Sequence, residues 1–180
     1  MRKLRADAVD AKFTPVRVNG GVYDPRDPPT NEESMNVEYA AAISYPTPLI
    51  YYRVGGEANW EASGGPEPGN SDFEWLKYML RLDKDKLPQT ISILYDSDEN
   101  VLPPEYMTTL CNLFARLGSQ GVSVLVASGD DGVGSGECKD GSGGNIKFGP
   151  TFPASCTCSV PSLLCKQYTR QPRICRSVCH

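Results

Sequence analysis

The chain has 180 residues, with 18 basic and 22 acidic side chains, a formal net charge of −4, and seven cysteines. That length suits one ordinary domain with a real core and not two generous ones. No basic stripe interleaved with aromatic residues is present for a nucleic acid to bind, and no apolar run approaches the ~20 residues needed to cross a bilayer.

The N-terminal MRKLRADAVDAKF is basic but lacks the apolar stretch of a signal peptide, so no export signal is expected within these residues. KFTPVRV (12–18) is then rich in β-branched residues and predicts a strand. NEESMNVEYAAAI (31–43) opens on acidic residues, as a helix amino end favours, and continues through Met35, Tyr39 and Ala42 at helical spacing. PLIYYRV (48–54) predicts a second strand, and GGEANWEASGGPEPGN (55–70), dense in glycine and proline, a long surface loop. SDFEWLKYMLRL (71–82) offers Ser71 as a cap and gathers Phe73, Leu76, Met79 and Leu80 on one side of a helix. TISILYD (90–96) predicts a third strand. PPEYMTTLCNLFARLG (103–118) begins with proline, ends with glycine and sets Met107, Leu110, Phe114 and Leu117 on one stripe. GVSVLVA (121–127) predicts a fourth, buried strand. The repeated β-α-β order predicts an α/β fold with a mainly parallel sheet flanked by helices.

The fourth strand runs into SGDDGVGSG, a glycine loop with two adjacent carboxylates, Asp130 and Asp131. The carboxyl end of a strand is where open α/β sheets place their chemistry. A dinucleotide loop fits poorly, because two carboxylates would face the phosphates and ECKDGSGGN offers no amphipathic helix to follow. A calcium loop suits the charge better, but its oxygen ligands miss the EF-hand spacing and no closing glutamate follows. A tight turn in which Asp130 bonds nearby amides is the third alternative. After TFPAS (151–155) the composition breaks: residues 156–180 hold five cysteines, four basic residues and no acidic one, and show no helical or alternating period. No two cysteines in the chain have Cys-x-x-Cys spacing, which argues against a zinc knuckle, while Cys138 and Cys156 are expected to suit a disulfide in an oxidising compartment. The one histidine, His180, is terminal, which removes Ser-His-Asp and Cys-His chemistry, since the base must be held by a packed scaffold.

Several long segments in consistent order, VNGGVYDP, EESMNVEYAAAISYPTPLIYY, LPQTISILYDSDE, LCNLFARLGSQGVSVLVASGDDGVGSGECKD and FGPTFPASC, resemble the sedolisin family of serine-carboxyl peptidases, especially its fungal tripeptidyl-peptidase-like members. The resemblance covers about residue 4 to Cys156. It implies a subtilisin-like α/β fold, incomplete on its C-terminal side, with residues 1–156 a partial peptidase domain and 157–180 a tail outside it. It also implies hydrolysis of peptide bonds at acid pH by a Ser-Glu-Asp triad assisted by a further Asp in the oxyanion hole.

SGDDG matches the family's Ser-Gly-Asp motif, so the resemblance gives Asp130 the oxyanion-hole role. Acid pH suits that role, because only a protonated carboxyl donates a hydrogen bond to a developing oxyanion. The family's Glu-x-x-x-Asp falls on Glu32 and Asn36, which gives Glu32 the general-base role and puts an asparagine where the family has its orienting aspartate. Spacing of i and i+4 sets both on one helix face, where Asn36 could donate a hydrogen bond to Glu32. Without the resemblance, Glu32 reads simply as an acidic residue at a helix amino end. Leu94, Tyr95 and Asp96 stand where the family reads Ser-Tyr-Gly along a cleft that binds peptide by backbone pairing. Asp96 therefore adds a side chain where the family backbone is bare. The family's nucleophilic serine lies in a Ser-Gly-Thr-Ser motif followed by a calcium site, and these 180 residues contain no Ser-Gly-Thr. The chain is accordingly expected to lack its nucleophile and the family's calcium site, and to hold no cofactor. The expected partner is a peptide or unfolded protein, with no nucleic acid or membrane partner, in a secreted or acidic vacuolar setting. A frame change or retained intron after codon 156 would account for the compositional break. From the bare sequence, the alternative is a non-catalytic, degenerate chain that binds peptides or partners.

Overall fold

The computed structural model describes residues 5–22, 29–56, 71–130, 148–156 and 160–161. The chain divides into two compact units, Met1–Asn59 with Glu67–Trp75, and Trp60–Pro66 with Leu76–His180, each described by itself. Most of the loop predicted over 55–70 and most of the tail after Cys156 lie outside the described residues.

The first unit is one β-α-β crossover. Strand β1 (Phe13–Val18) pairs in parallel with β2 (Leu49–Val54), in a register running from Phe13 opposite Leu49 to Val18 opposite Val54, and helix α1 (Asn31–Ser44) connects them. At the ends of β1 and β2 the backbones come so close that only glycine fits. A Cβ on Gly21 would strike the carbonyl of Arg53, and one on Gly55 would strike the carbonyl of Asn19. The Gly55 amide donates to the Val18 carbonyl at 2.9 Å, which closes this corner. Of α1, only Ala41 is buried, and Met35 and Tyr39 face outward. Met35, Tyr39 and Ala42 do fall at helical spacing, but they do not form the buried face. Apolar residues occur all around this helix, so spacing alone selects no face, and a small alanine suits close approach to a neighbour.

Helix α2 (Ser71–Arg81) matches its expected span and buries Trp75, Leu76 and Met79. Ser71 is its first helical residue rather than its cap.

The second unit repeats the crossover. Strand β3 (Thr90–Ile93) pairs in parallel with β5 (Ser123–Val126), and helix α3 (Pro104–Ser119) lies between them in sequence. Proline at its first helical position starts α3 without losing a hydrogen bond. The helix buries Tyr106, Leu110, Phe114 and Leu117, with Tyr106 taking the place expected for Met107. β5 buries Val124 and Val126 but leaves Leu125 45% exposed, so it is covered on one face rather than both. A short strand β7 (Val160–Pro161) joins the other side of β5 in parallel, making the order β3-β5-β7. A separate antiparallel pair, β4 (Ser97–Asp98) with β6 (Thr151–Phe152), sets Asp98 opposite Thr151. Tyr106 of α3 meets Phe152 with ring centroids 6.1 Å apart. A disulfide joins Cys111 of α3 to Cys156 just beyond β6. This corrects the expected Cys138–Cys156 pairing, and Cys138 lies outside the described residues.

Candidate active site

The parallel strands β3 and β5 end side by side. Ile93 is opposite Val126, and the Ala127 amide still donates to the Ile93 carbonyl at 3.0 Å. Beyond that last bond the two chains part, and the candidate residues lie on both. The strand predicted over 90–96 stops at Ile93, so Leu94, Tyr95 and Asp96 follow it as irregular chain. Leu94 and Tyr95 are exposed, while Asp96 is half-buried. Within the described residues of this unit, β3 is the outer strand of its sheet, the kind of edge to which an extended peptide can add by backbone pairing.

After β5, the turn is fixed by Gly129. Its φ is +80°, a region that side chains other than glycine's rarely adopt. Space imposes the same choice. A Cβ there would lie 3.0 Å from the Thr151 Cγ2 and 3.1 Å from the Asp96 Oδ2. Asp96 thus leans from the end of β3 toward the turn that follows β5, and Thr151 reaches the same turn from β6. The turn delivers Asp130, which is exposed and directly follows Gly129. Asp131 and the glycines after it lie outside the described residues. Asp130 is placed as an accessible carboxyl at the carboxyl end of a parallel strand, and in its protonated form it can donate a hydrogen bond.

Thr151 had no role in the sequence reading. It is buried, and its Oγ1 makes no hydrogen bond. TFPAS gave no local signal for this, because the burial comes from β6 pairing with β4.

Glu32 and Asn36 belong to the first unit. Thr30 caps α1: its hydroxyl accepts from the Glu33 amide at 3.1 Å, while the Glu33 carboxylate accepts from the Thr30 amide at 2.8 Å. This reciprocal capping box uses Glu33, so the neighbouring Glu32 is not engaged in the cap and is exposed. Asn36, one turn further on, is half-buried. Among the described residues no hydrogen bond joins Glu32 to Asn36. Among them, too, no group of three or more His, Cys, Asp or Glu side chains converges to hold a metal ion.

No family profile matches the chain. Tripeptidyl-peptidase SED2 of Arthroderma otae is 35% identical over 136 residues, which cover 71% of this chain and 22% of that protein. The probable tripeptidyl-peptidase SED4 of Arthroderma benhamiae is 39% identical over 131 residues, 69% of this chain and 22% of that one. Tripeptidyl-peptidase sed4 of Aspergillus fumigatus is 33% identical over 153 residues, 80% and 25%. The chain thus spans about a quarter or less of the length of these relatives. In fold it is similar to Pseudomonas sedolisin, a serine-carboxyl proteinase solved with two molecules of pseudo-iodotyrostatin, with a TM-score of 0.53 and 16% identity over 88% of this chain and 43% of that one. The α/β crossovers, the likeness in fold to sedolisin and the identity to the fungal tripeptidyl-peptidases agree, and the chain belongs to the sedolisin family.

Proposed function

We propose that this chain carries the oxyanion side and the peptide-binding edge of a serine-carboxyl peptidase site, and that the 180-residue polypeptide binds peptides without cleaving them. The observation that carries the reading is Asp130, exposed and directly after the Gly129 turn at the carboxyl end of β5, beside the end of β3, the outer strand of its sheet among the described residues of this unit. A peptide lying along β3 brings a carbonyl toward that end, and a protonated Asp130 donates to its oxygen as negative charge develops there.

In the family reading, Glu32 is the base that takes the proton from a nucleophilic serine, and Asn36 orients it less well than an aspartate would. The 180 residues hold no Ser-Gly-Thr to supply that serine. Oxyanion stabilisation without an attacking group yields no acyl transfer. In the complete family member the reaction is release of tripeptides from free N-termini, in a secreted or acidic vacuolar setting. Among the described residues no helix is long and apolar enough to cross a membrane.

One peptide with a free N-terminus and a fluorescent C-terminus tests both halves of the reading. Anisotropy is expected to report binding, and chromatography of the same samples across acid pH is expected to show no product. Turnover above the buffer control would overturn the missing nucleophile. Absence of binding would overturn the peptide-binding edge.

A further inference from the structure

Strand alternation and the parallel register put Phe13, Pro15 and Arg17 of β1 on one face of the first unit's sheet, opposite Leu49, Tyr51 and Arg53 of β2 respectively. The rings of Phe13 and Tyr51 meet edge-on there, with centroids 5.7 Å apart. Val18, on the other face, is buried. On this face Phe13 is 45% exposed, Pro15 and Arg17 are exposed, and Tyr51 and Arg53 are only half-buried. It is open to solvent.

Arg17 lies directly opposite Arg53, and neighbouring strands are only about 4.8 Å apart. Like charges so placed repel, and a guanidinium does not escape by losing its proton. Among the described residues neither arginine has a hydrogen bond or ion pair that would offset this cost. An anion from outside would. Two guanidiniums side by side suit a carboxylate, which each can grip through paired N–H bonds. The rest of the face holds no cation, only proline, leucine and the two rings. A nucleic acid, with a phosphate at every step, finds nothing there to neutralise it, and the net charge of −4 opposes it. A polypeptide fits better. In an extended segment, side chains two residues apart point the same way about 6.6 Å apart, which is the spacing of Arg17 and Pro15 along β1.

We propose that this face binds an extended segment of another polypeptide in which an acidic residue stands two positions from an aromatic one. The carboxylate meets Arg17 and Arg53, and the ring lies on Pro15 and Tyr51, with Phe13 beyond. Binding exchanges a repulsion for charge-assisted hydrogen bonds. The surface lies wholly within the first unit and does not rest on the peptide-binding edge of β3.

The test uses the full chain and two fluorescent, N-acetylated peptides that contain Glu-Ser-Phe or Gln-Ser-Phe and are otherwise identical and uncharged. Acetylation removes the free N-terminus that a tripeptidyl site requires. Anisotropy is measured at low salt and about pH 6, where an ordinary carboxylate is ionised. The glutamate peptide is expected to bind about ten-fold more tightly than the glutamine peptide, with the margin shrinking in high salt. Arg17→Gln combined with Arg53→Gln is expected to abolish the margin and, by removing a like-charge pair, to leave the urea midpoint of the chain no lower than before. Equal affinities in the unaltered chain would overturn the proposal, and that measurement depends on no variant folding. A margin that survives in the double variant would put the carboxylate elsewhere and overturn this face as its site. A lower urea midpoint would overturn the unrelieved repulsion on which the argument stands. A single-stranded oligonucleotide that displaces the glutamate peptide more effectively than unlabelled peptide does would give the face to nucleic acid and overturn the proposed partner.

Discussion

Helices α1 and α3 occupy the same place in the two crossovers, each between two parallel strands, yet they are held in opposite ways. α3 has four buried side chains and is tied by a disulfide. α1 buries only Ala41, and it leaves Met35, Tyr39 and Ile43 51%, 53% and 79% exposed. What α1 has instead is a fixed terminus at each end. The Thr30–Glu33 capping box satisfies its first amides. Arg5 donates to the Ala42 carbonyl at 2.7 Å at the other end, where a cation also meets the negative end of the helix dipole. The two carboxylates proposed for the peptidase site, Glu32 and Asp130, inherit this difference. Asp130 follows β5, a strand seated by a packed core, whereas Glu32 lies in the first turn of a helix whose position depends on its caps.

The largest expected effect is on the second unit. The Cys111–Cys156 bond closes a loop with a sequence separation of 45 residues. By loop-closure entropy, replacing both cysteines with alanine should cost about 4 kcal/mol. Urea unfolding followed by amide exchange within residues 90–126 reads it. Exchange that quickens in α1 as much as in α3 would break the proposed contrast between the helices.

A paired substitution sharpens the same point. Leu110 is fully buried, so Leu110→Ala should destabilise by about 3 kcal/mol through lost burial and the cavity left behind. Ile43 has the same number of carbons but is exposed, and Ile43→Ala should change stability by less than about 0.5 kcal/mol, with alanine's better helix propensity offsetting any lost contact. Comparable urea midpoints for the two variants would show that α1 buries more than the structure indicates.

This contrast also separates what the sequence could reveal from what it could not. The positions of all three helices and four main strands follow from local composition, because β-branched runs and a single apolar stripe are local properties. α3 presents one such stripe, so its buried face was legible. α1 has none, so its face was not. The end of β3 was hidden for another reason. Leu94 and Tyr95 have good strand propensity, but the chain leaves the sheet after Ile93, where β5 gives way to the Gly129 turn. Cysteine pairing and the burial of Thr151 depend on where β6 lies, and no local pattern encodes that. The role proposed for Asp130 rests on its extended motif, since two carboxylates in a glycine loop fit several chemistries.

Smaller, and confined to α1, is the effect of Thr30→Ala. It removes the hydroxyl that accepts from the Glu33 amide, and loss of such a cap costs about 1 kcal/mol. Amide exchange in the first turn, residues 31–35, should quicken about five-fold, while exchange in α3 stays unchanged. If the peptidase reading of Glu32 holds, this fraying disturbs the base without touching its carboxylate. No change in the first-turn amides would mean that something other than the cap fixes the helix start.

The smallest expected effect lies at the opposite end of α1 and depends on pH. Asp7 accepts from both Arg5 Nε, at 2.8 Å, and Arg5 Nη2, at 3.0 Å, and so holds the guanidinium that serves the α1 carbonyls. That hydrogen bonding keeps the Asp7 carboxyl below the usual aspartate value. A carboxyl whose pKa is lowered by folding stabilises the folded state fully above its unfolded value, about 3.9, and loses that contribution as pH falls toward and through the folded value. The pair is solvent-exposed, so the effect is small and screened by salt. Between pH 7 and 5, α1 should therefore keep its C-terminal support, and below about pH 4 it should begin to lose it. Asp7→Asn should be slightly less stable than the unaltered chain at neutral pH, with the difference vanishing at the acid end. Urea midpoints for both proteins from neutral pH to about pH 3, at low and high salt, provide the test. A difference that grows on acidification would reverse the sign of this linkage and show that Asp7 does not hold Arg5 in place.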